Sequence, residues 1–554
     1  MTIFVAFIAL TVILLVSAAV EHDIAKVSEA LAKTRQVMGE IYTEWDVDNF
    51  PAFLASAAMP TKSYEVMKLK YERVVLEALI HPAAQMNFTI SFMGSSVTAG
   101  HDSPFNLSFT EITGRLMAPA FAPVHVNLIT RNAAMGNNPC IPYDACPSAF
   151  AGKDADVIHW EQSYNCFATD EGPRTHVVFE TFVRQIAQMH RRPVVVFADS
   201  ATPNWRAKDC KPSDILPTGT YPVVNVQDKA MLNSTNHDPT YLDLFSNVNG
   251  GMMRSWGTLK QIMKMYRTAG IQLFRHTEYL RYKCNGPYIE DWGCCSASWH
   301  PSLKGHALRA AHHSFVWLKI FETALVNVES MLKADGATLV SVVEEVVKRQ
   351  GNPSHHIPEQ PLYESKYGDE LQCLTDYEPH HEETASLTNR LIPSDGMAGS
   401  ALKGWKQNIM ESVFEPHAKI VETARKKGYR DFKWMTYGNN ADGPLSIDIT
   451  AGHGGYIHFC QPPGSWGKLP AEFTSLWTEG SVDIFITLNV PAENKKEFKF
   501  DSSKATRIAI QNPYAKDTQS VCAISDEMIQ AGSHVITLVP LKKEFAMLSI
   551  ILVP

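Results

Sequence analysis

Five short runs rich in β-branched and aromatic residues alternate with longer helical stretches, and this alternation restricts the fold more than any other feature of the chain. The runs are 88–93, 124–129, 156–160, 193–198 and 271–274. Apolar residues at helical spacing mark 175–190, 252–269, 302–333 and 338–349. Parallel strands need a crossover of a dozen or more residues, usually a helix, so strand and helix in succession predict an α/β fold with a parallel sheet. Segment 201–250 breaks the rhythm with Pro-, Asn-, Asp- and Thr-rich turns. Because it follows the fourth run, it is expected to overhang the carboxyl ends of the strands, where open sheets bind ligands.

The α/β pattern accounts for less than half of 554 residues, so further units are expected on either side. Residues 21–85 read as a helical N-terminal segment. Within it, 22–45 carries Ile24, Val27, Leu31 and Val37 at amphipathic spacing, as a stalk or a packing helix would. The α/β unit itself is bounded at 86–350, and a Pro- and His-bearing stretch at 351–372 reads as a linker. From 373 to 554 the texture changes to short alternating runs such as 445–449, 455–460, 482–490 and 534–539, which predict an antiparallel β-sandwich. Its Trp434, Trp466, Trp477, Tyr437 and Tyr456 make it a candidate carbohydrate-binding module, since aromatic faces stack on sugars.

Residues 3–20 are an apolar run ending in Ser17, Ala18 and Ala19, with no Lys or Arg before it. Residues 1–20 therefore read as a secretory signal peptide or an uncleaved signal anchor. The chain is expected to be secreted, or lumenal behind a single N-terminal anchor, and to meet a membrane only in the second case. Sequons at Asn87, Asn106 and Asn233 agree with a glycoprotein. Ten cysteines without a Cys-x-x-Cys pair point to disulfides rather than zinc, and Cys140 with Cys146 is the expected short bridge. A net charge of −8 with no long basic run disfavours nucleic acid as a partner.

The chemistry concentrates in Ser91-Phe92-Met93-Gly94-Ser95-Ser96-Val97-Thr98-Ala99-Gly100, a small-residue turn closing the first strand. A nucleophilic serine needs such a setting, where the hydroxyl is exposed and backbone N–H groups can face an oxyanion. Later in the chain Gly136 follows the second run, Asn165 follows the third, and His300 stands in Ser298-Trp299-His300-Pro301-Ser302-Leu303-Lys304-Gly305-His306 before a long helix. Read alone, His306 is a packing or capping residue, and His312 and His313 are helix residues. The pairs His355-His356 and His380-His381 lack a completing ligand set, so no metal or cofactor is expected.

Taken in order, these segments resemble the four blocks of the SGNH, or GDSL-type, serine esterase family over about residues 88–334. Gly94, Ser96, Thr98 and Gly100 match its first block, with Ser95 at the family's Asp position. The resemblance implies a three-layer α/β/α, flavodoxin-like sandwich and a Ser-His centre. Ser96 would be the nucleophile, His300 the general base, and Ser96, Gly136 and Asn165 the oxyanion donors. One departure is plain: the family's Asp three residues before the histidine is Ala297 here. Asp291, Ser296 or a backbone carbonyl would then have to orient His300.

In function, the resemblance implies an ester hydrolase, and the expected secretory compartment with the candidate sugar-binding module points to acyl, chiefly acetyl, esters of carbohydrates as substrate, or to another small ester. Two alternatives stand beside it. One is a glycan O-acyltransferase with the same Ser-His centre, and the other is a glycan-binding surface protein in which the centre is impaired.

Overall fold

A computed structural model describes residues 2–45, 61–100, 107–134, 143–162, 175–199, 265–266, 272–275, 296–297, 300–301, 303–350, 360–362 and 371–375. Beyond 375 it describes the individual strands named below, with 451–461 and 528–538 around two of them.

The N-terminal helices are α1 (Thr2–Trp45) and α2 (Thr61–Ile80). They lead into strand β1 (Met86–Gly94), the short helix α3 (Ser96–Ala99), and α4 (Phe109–Phe121). Strand β2 (Val126–Asn132), helix α5 (Pro147–Ala151), strand β3 (Val157–Glu161), helix α6 (Thr175–Gln188) and strand β4 (Val194–Asp199) follow. Next come β5 (Gln272–Arg275), the two-residue strands β6 (Ser296–Ala297) and β7 (His300–Pro301), and helices α7 (Leu303–Leu332) and α8 (Leu339–Gln350). All five expected strands are present. The expected helix at 252–269 and the segment 201–250 lie outside the described residues, apart from 265–266.

Strands β2-β1-β3-β4-β5 form one sheet in that order, parallel throughout. The chain starts at β1, steps outward to β2, then crosses back to β3 on β1's other side. This is the flavodoxin-like order, and its switch point lies between β1 and β3.

Such strands are covered on both faces and read as continuous apolar runs, as in the buried Val-Val-Val-Phe-Ala of β4, and β3 is likewise buried along its whole length. On one face Phe88, Ile90 and Phe92 of β1 and Val194 and Val196 of β4 join a core built by α1, α2, α4, α7 and α8. Phe121 of α4 stacks on Phe321 of α7 with ring centroids 4.1 Å apart. On the other face Trp160 of β3 meets Phe179 of α6 at 5.0 Å, and both meet Phe197 of β4 at 5.0 Å. The result is three layers, helix on sheet on helix.

Helix α1 packs rather than standing free: Val27, Ala30, Leu31, Val37 and Ile41 are buried against the sheet's first helical layer. The apolar residues 3–20 form the front of this same helix. Among the residues with described side chains, no helix is long and apolar enough to cross a membrane. Of the sequons, Asn87 is exposed at the start of β1 and accepts from the Asn127 amide at 3.0 Å, while Asn106 and Asn233 lie outside the described residues.

Beyond α8 the described strands are antiparallel. The largest sheet runs Thr506–Ala509, Gln519–Ile524, Tyr456–Gln461, Ser549–Val553 and β8 (Gln372–Thr375). One three-stranded sheet joins Lys406–Glu411, Phe432–Gly438 and Phe545–Met547, another joins Gly532–Leu538, Leu445–Ala451 and Leu391–Ile392, and the hairpin Asp483–Thr487 with Glu497–Asp501 completes the described set. The face-to-face packing expected of a β-sandwich lies outside the described residues. Of the aromatic residues expected to stack on sugars, Tyr456 is exposed, Trp434 and Tyr437 lie on strand Phe432–Gly438, and Trp466 and Trp477 fall outside.

The disulfide corrects the sequence reading. Cys146 is bonded to Cys373 rather than to Cys140. Cys146 caps the start of α5, which lies against β8, so proximity in space overrides proximity in sequence. The bridge spans 227 residues and ties the α/β unit to the first strand after the linker. Two bonds strap the linker itself to α6: the Leu362 N–H donates to Glu180 at 2.7 Å and the Leu371 N–H to Gln185 at 3.2 Å. Closing so long a loop removes unfolded-state entropy worth about 5 kcal/mol in the chain-entropy picture, against about 2–4 kcal/mol for a typical bridge. Cys373→Ser is therefore expected to lower unfolding free energy by about 2–5 kcal/mol, read as a fall in urea midpoint.

Candidate active site

Three chain crossings meet at the carboxyl end of the switch point, and each tightens the turn after β1. The β1–β3 ladder ends with Gly94 opposite Glu161, and the Ser95 N–H extends it by one bond to the Glu161 carbonyl at 2.9 Å. Ser95 then caps α3, its hydroxyl accepting from the Val97 N–H at 3.3 Å. Gly100 closes the helix at φ 92°, in the left-handed region glycine adopts without strain.

The same short helix is braced from its sides. The Asn132 side-chain amide, at the end of β2, donates to the Thr98 and Ala99 carbonyls at 3.2 Å each, and its oxygen accepts from the Ala134 N–H at 3.2 Å. The Tyr143 hydroxyl accepts from the Gly94 N–H at 3.1 Å and donates to the Ala133 carbonyl at 2.6 Å.

Glu161 is fully buried and draws the turn inward. Its Oε2 accepts from the Ser95 hydroxyl at 2.6 Å, the Thr98 hydroxyl at 2.9 Å and the Ser95 N–H at 3.2 Å. Burial pushes its carboxyl up to about 6, while the bonds from Ser95 and Thr98 and the charge of buried Arg309 on α7 act to hold it down. Beside it, burial pushes the Tyr143 hydroxyl and the Asp144 carboxyl well up.

From Ser91 to Gly100 every residue is buried except Ser96, which is partly exposed. The two adjacent serines are thus divided: Ser95 faces the protein interior and Glu161, and Ser96 occupies the first position of α3 on the open side. Across from it, β7 runs against α3, with Cα atoms of the two elements within 8 Å. His300 is in β7, and its antiparallel bridge sets it opposite Ala297, so the position where the family pattern has Asp is the direct cross-strand partner of the histidine. Ser296 pairs with Pro301. Gly136, Asn165 and Asp291 lie outside the described residues.

Behind the turn lies a cluster of buried rings. His159 of β3 and His313 of α7 lie 5.3 Å apart and contact Phe92 and Phe109. The His159 Nδ1 donates to the Met93 carbonyl at 3.2 Å and the His313 Nδ1 to the Arg309 carbonyl at 2.9 Å, since a carbonyl only accepts. His306 takes the opposite tautomer: its Nδ1 accepts the Phe109 N–H at 3.3 Å, which caps α4 where the Ser108 side chain makes no cap bond, and its ring stacks on Phe109.

Sequence reasoning missed Glu161, Asn132 and Tyr143 as parts of this site. Glu161 carried a usable signal, because a carboxylate ending an otherwise apolar parallel strand is buried by default and needs partners.

Gly94 has no room for a side chain. A Cβ there would meet the Thr98 hydroxyl, lie 2.6 Å from the Thr98 Cβ and 3.1 Å from the Glu161 Cβ. Gly94→Ala is therefore expected to displace α3, costing about 1–3 kcal/mol of stability and about 10²-fold in any turnover that depends on Ser96. Melting and turnover on the same preparation would show whether the loss of rate exceeds the loss of folded protein.

No protein-family model and no curated protein matches the chain. Among solved structures it is similar to a two-domain esterase active on acetylated mannans. In its form co-crystallised with mannopentaose the likeness has 12% identity, covers 86% of this chain and 94% of that one, and has a TM-score of 0.35. Without the oligosaccharide it has a TM-score of 0.34 at the same identity and coverage. It is also similar to a protein from Parabacteroides merdae described as a GDSL-like lipase, at 14% identity, 43% of this chain, 96% of that one and a TM-score of 0.26.

Proposed function

We propose that the chain is a serine ester hydrolase of the SGNH/GDSL type acting on acyl, chiefly acetyl, esters of carbohydrates, outside the cell or in the secretory lumen. The observation that supports it most is the division of the two serines at the switch point. Ser95 is committed to the buried Glu161, and Ser96 is the one partly exposed residue of a turn that is otherwise closed. A strand bearing His300 lies against that turn.

In this reading His300 takes the Ser96 proton as Ser96 attacks the ester carbonyl, and N–H groups of Ser96 and Gly136 with the Asn165 amide receive the oxyanion. The alcohol leaves with the proton from His300, and water then releases the acyl group by the same route in reverse. With Ala297 opposite His300, the imidazole is oriented by Ser296, Asp291 or a backbone carbonyl. The apolar N-terminal run supports the compartment, and the aromatic residues of 373–554 support a carbohydrate partner.

A second reading, an O-acyltransferase with the same centre, draws on one observation: the apolar residues 3–20 continue without a break into the packed part of α1. An uncleaved anchor would then hold the α/β unit at a lumenal membrane face.

Release of acetate from an O-acetylated oligosaccharide and from a short-chain aryl acetate is the direct test. Hydrolysis of both supports the proposal. Acyl transfer to an added glycan without hydrolysis favours the second reading, and inertness toward both removes the catalytic reading.

A further inference from the structure

We propose that Glu161 is a positioning residue for the Ser96 centre, fixing through its ionised carboxylate the peptide that carries the Ser96 N–H. The inference rests on the reading of Ser96 as nucleophile. Three facts carry it: Glu161 is fully buried, its Oε2 accepts from the hydroxyls one residue before and two residues after Ser96, and it also receives the Ser95 N–H. The Ser95–Ser96 peptide is thereby held at its Ser95 end through both side chain and backbone. The N–H of that peptide is the group an acyl-transfer centre aims at the developing oxyanion.

A structural filler would not need a charge there. A neutral carboxyl or amide makes weaker acceptors of the same oxygens, and the hydroxyls of Ser95 and Thr98 would be free to turn toward other partners. The groups facing Glu161 are Arg309 from α7, whose charge favours its ionised form, and the Tyr143 hydroxyl from the turn before α5. Burial moves protonation of Glu161 up to about 6, into the range where enzymes of this kind are assayed.

The effect belongs in kcat rather than KM, because the peptide is used in the transition state and not in ground-state binding. It also predicts one extra proton on the acid side of the pH profile, taken up by Glu161. Logarithmic kcat/KM of the parent against an aryl acetate should fall below about pH 6 with a slope up to one unit steeper than without that carboxylate.

Glu161→Gln should remove that extra steepness and lower kcat about 10- to 100-fold at pH 8, with KM nearly unchanged. Thr98→Val keeps the carboxylate but removes one bond that favours its ionised form, so its acid limb should move to higher pH. It serves as the deciding variant if Glu161→Gln does not fold. Unchanged slope and kcat in Glu161→Gln, or an unmoved acid limb in Thr98→Val, would overturn the inference and leave the hydrolase reading intact. Absence of any ester turnover by the parent would overturn both.

Discussion

Replacing Ser96 by Ala is expected to lower ester turnover by at least about 10³-fold while leaving the melting temperature within about a degree of the parent. Both halves of this expectation come from burial. Ser96 is partly exposed at the first position of α3, so removing its hydroxyl opens no core cavity.

The neighbouring Ser95→Ala should cost stability first. It leaves Glu161 short of its 2.6 Å donor and α3 without its capping oxygen, losses of about 1–3 kcal/mol each. Ser96→Ala would thus lose rate without stability, and Ser95→Ala stability together with the smaller, about 10- to 100-fold loss of rate expected from loosening the Glu161 hold, with parallel measurements of turnover and thermal unfolding as the readout. If Ser95→Ala abolished turnover at full stability and Ser96→Ala did not, the register of the turn would have been assigned one residue too far.

Acid should act on the ring cluster beneath the site. Desolvation holds His159 and His312 down to about 3 and His313 well below its usual value, so all three are neutral in the folded protein far below the pH at which an unfolded histidine charges. Between about pH 6.5 and 3 the unfolded chain therefore binds more protons at these sites, and their contribution to stability is lost as pH falls.

Glu161 works in the other direction. Its raised value means the folded state takes up its proton first, so part of the overall acid loss is offset between about pH 6 and 4.5. A variant isolates the histidine effect better than the parent's own pH curve.

His159→Phe fits a site already lined by Phe92 and Phe109 but forfeits the bond to the Met93 carbonyl, so at pH 8 it should be about 1 kcal/mol less stable than the parent. Each pH unit below 6.5 should move the difference by about 1.4 kcal/mol in its favour, making it the more stable protein by about 2 kcal/mol at pH 4. Urea titrations at pH 8, 6 and 4 would reveal the crossing. A difference that stayed constant with pH would mean that the ring is solvated in the folded state.

The strands were legible because each is a run long enough to be covered on both faces, and such runs are conspicuous against their Gly- and Pro-bearing surroundings. The two glycines that bound the serine turn were legible as well, since Gly94 and Gly100 mark positions where backbone crowding and a left-handed φ exclude other residues. What could not be read locally was pairing across distance.

Glu161 lies 66 residues from Ser95, and only the β1–β3 register, a property of the assembled sheet, brings them together. Cys146 has a nearer partner in sequence, Cys140, and its actual partner 227 residues on is chosen by the docking of α5 against β8. Helix α4 went unread for a similar reason: its first N–H is capped by His306 from α7 instead of by Ser108, so its start carries no local capping bond. The pairing around His300 is also a matter of assembly, with Ala297 placed opposite it and Ser296 opposite Pro301.

The central claim, that Ser96 is the nucleophile of this turn, is tested most directly by covalent capture. A fluorophosphonate reacts with an activated serine and leaves an adduct that peptide mass spectrometry can place. The account predicts an adduct on Ser96, none on Ser95, none anywhere in Ser96→Ala, and a strongly slowed reaction in His300→Ala. An adduct on a different residue, or a parent protein that stays unlabelled while folded, would contradict it.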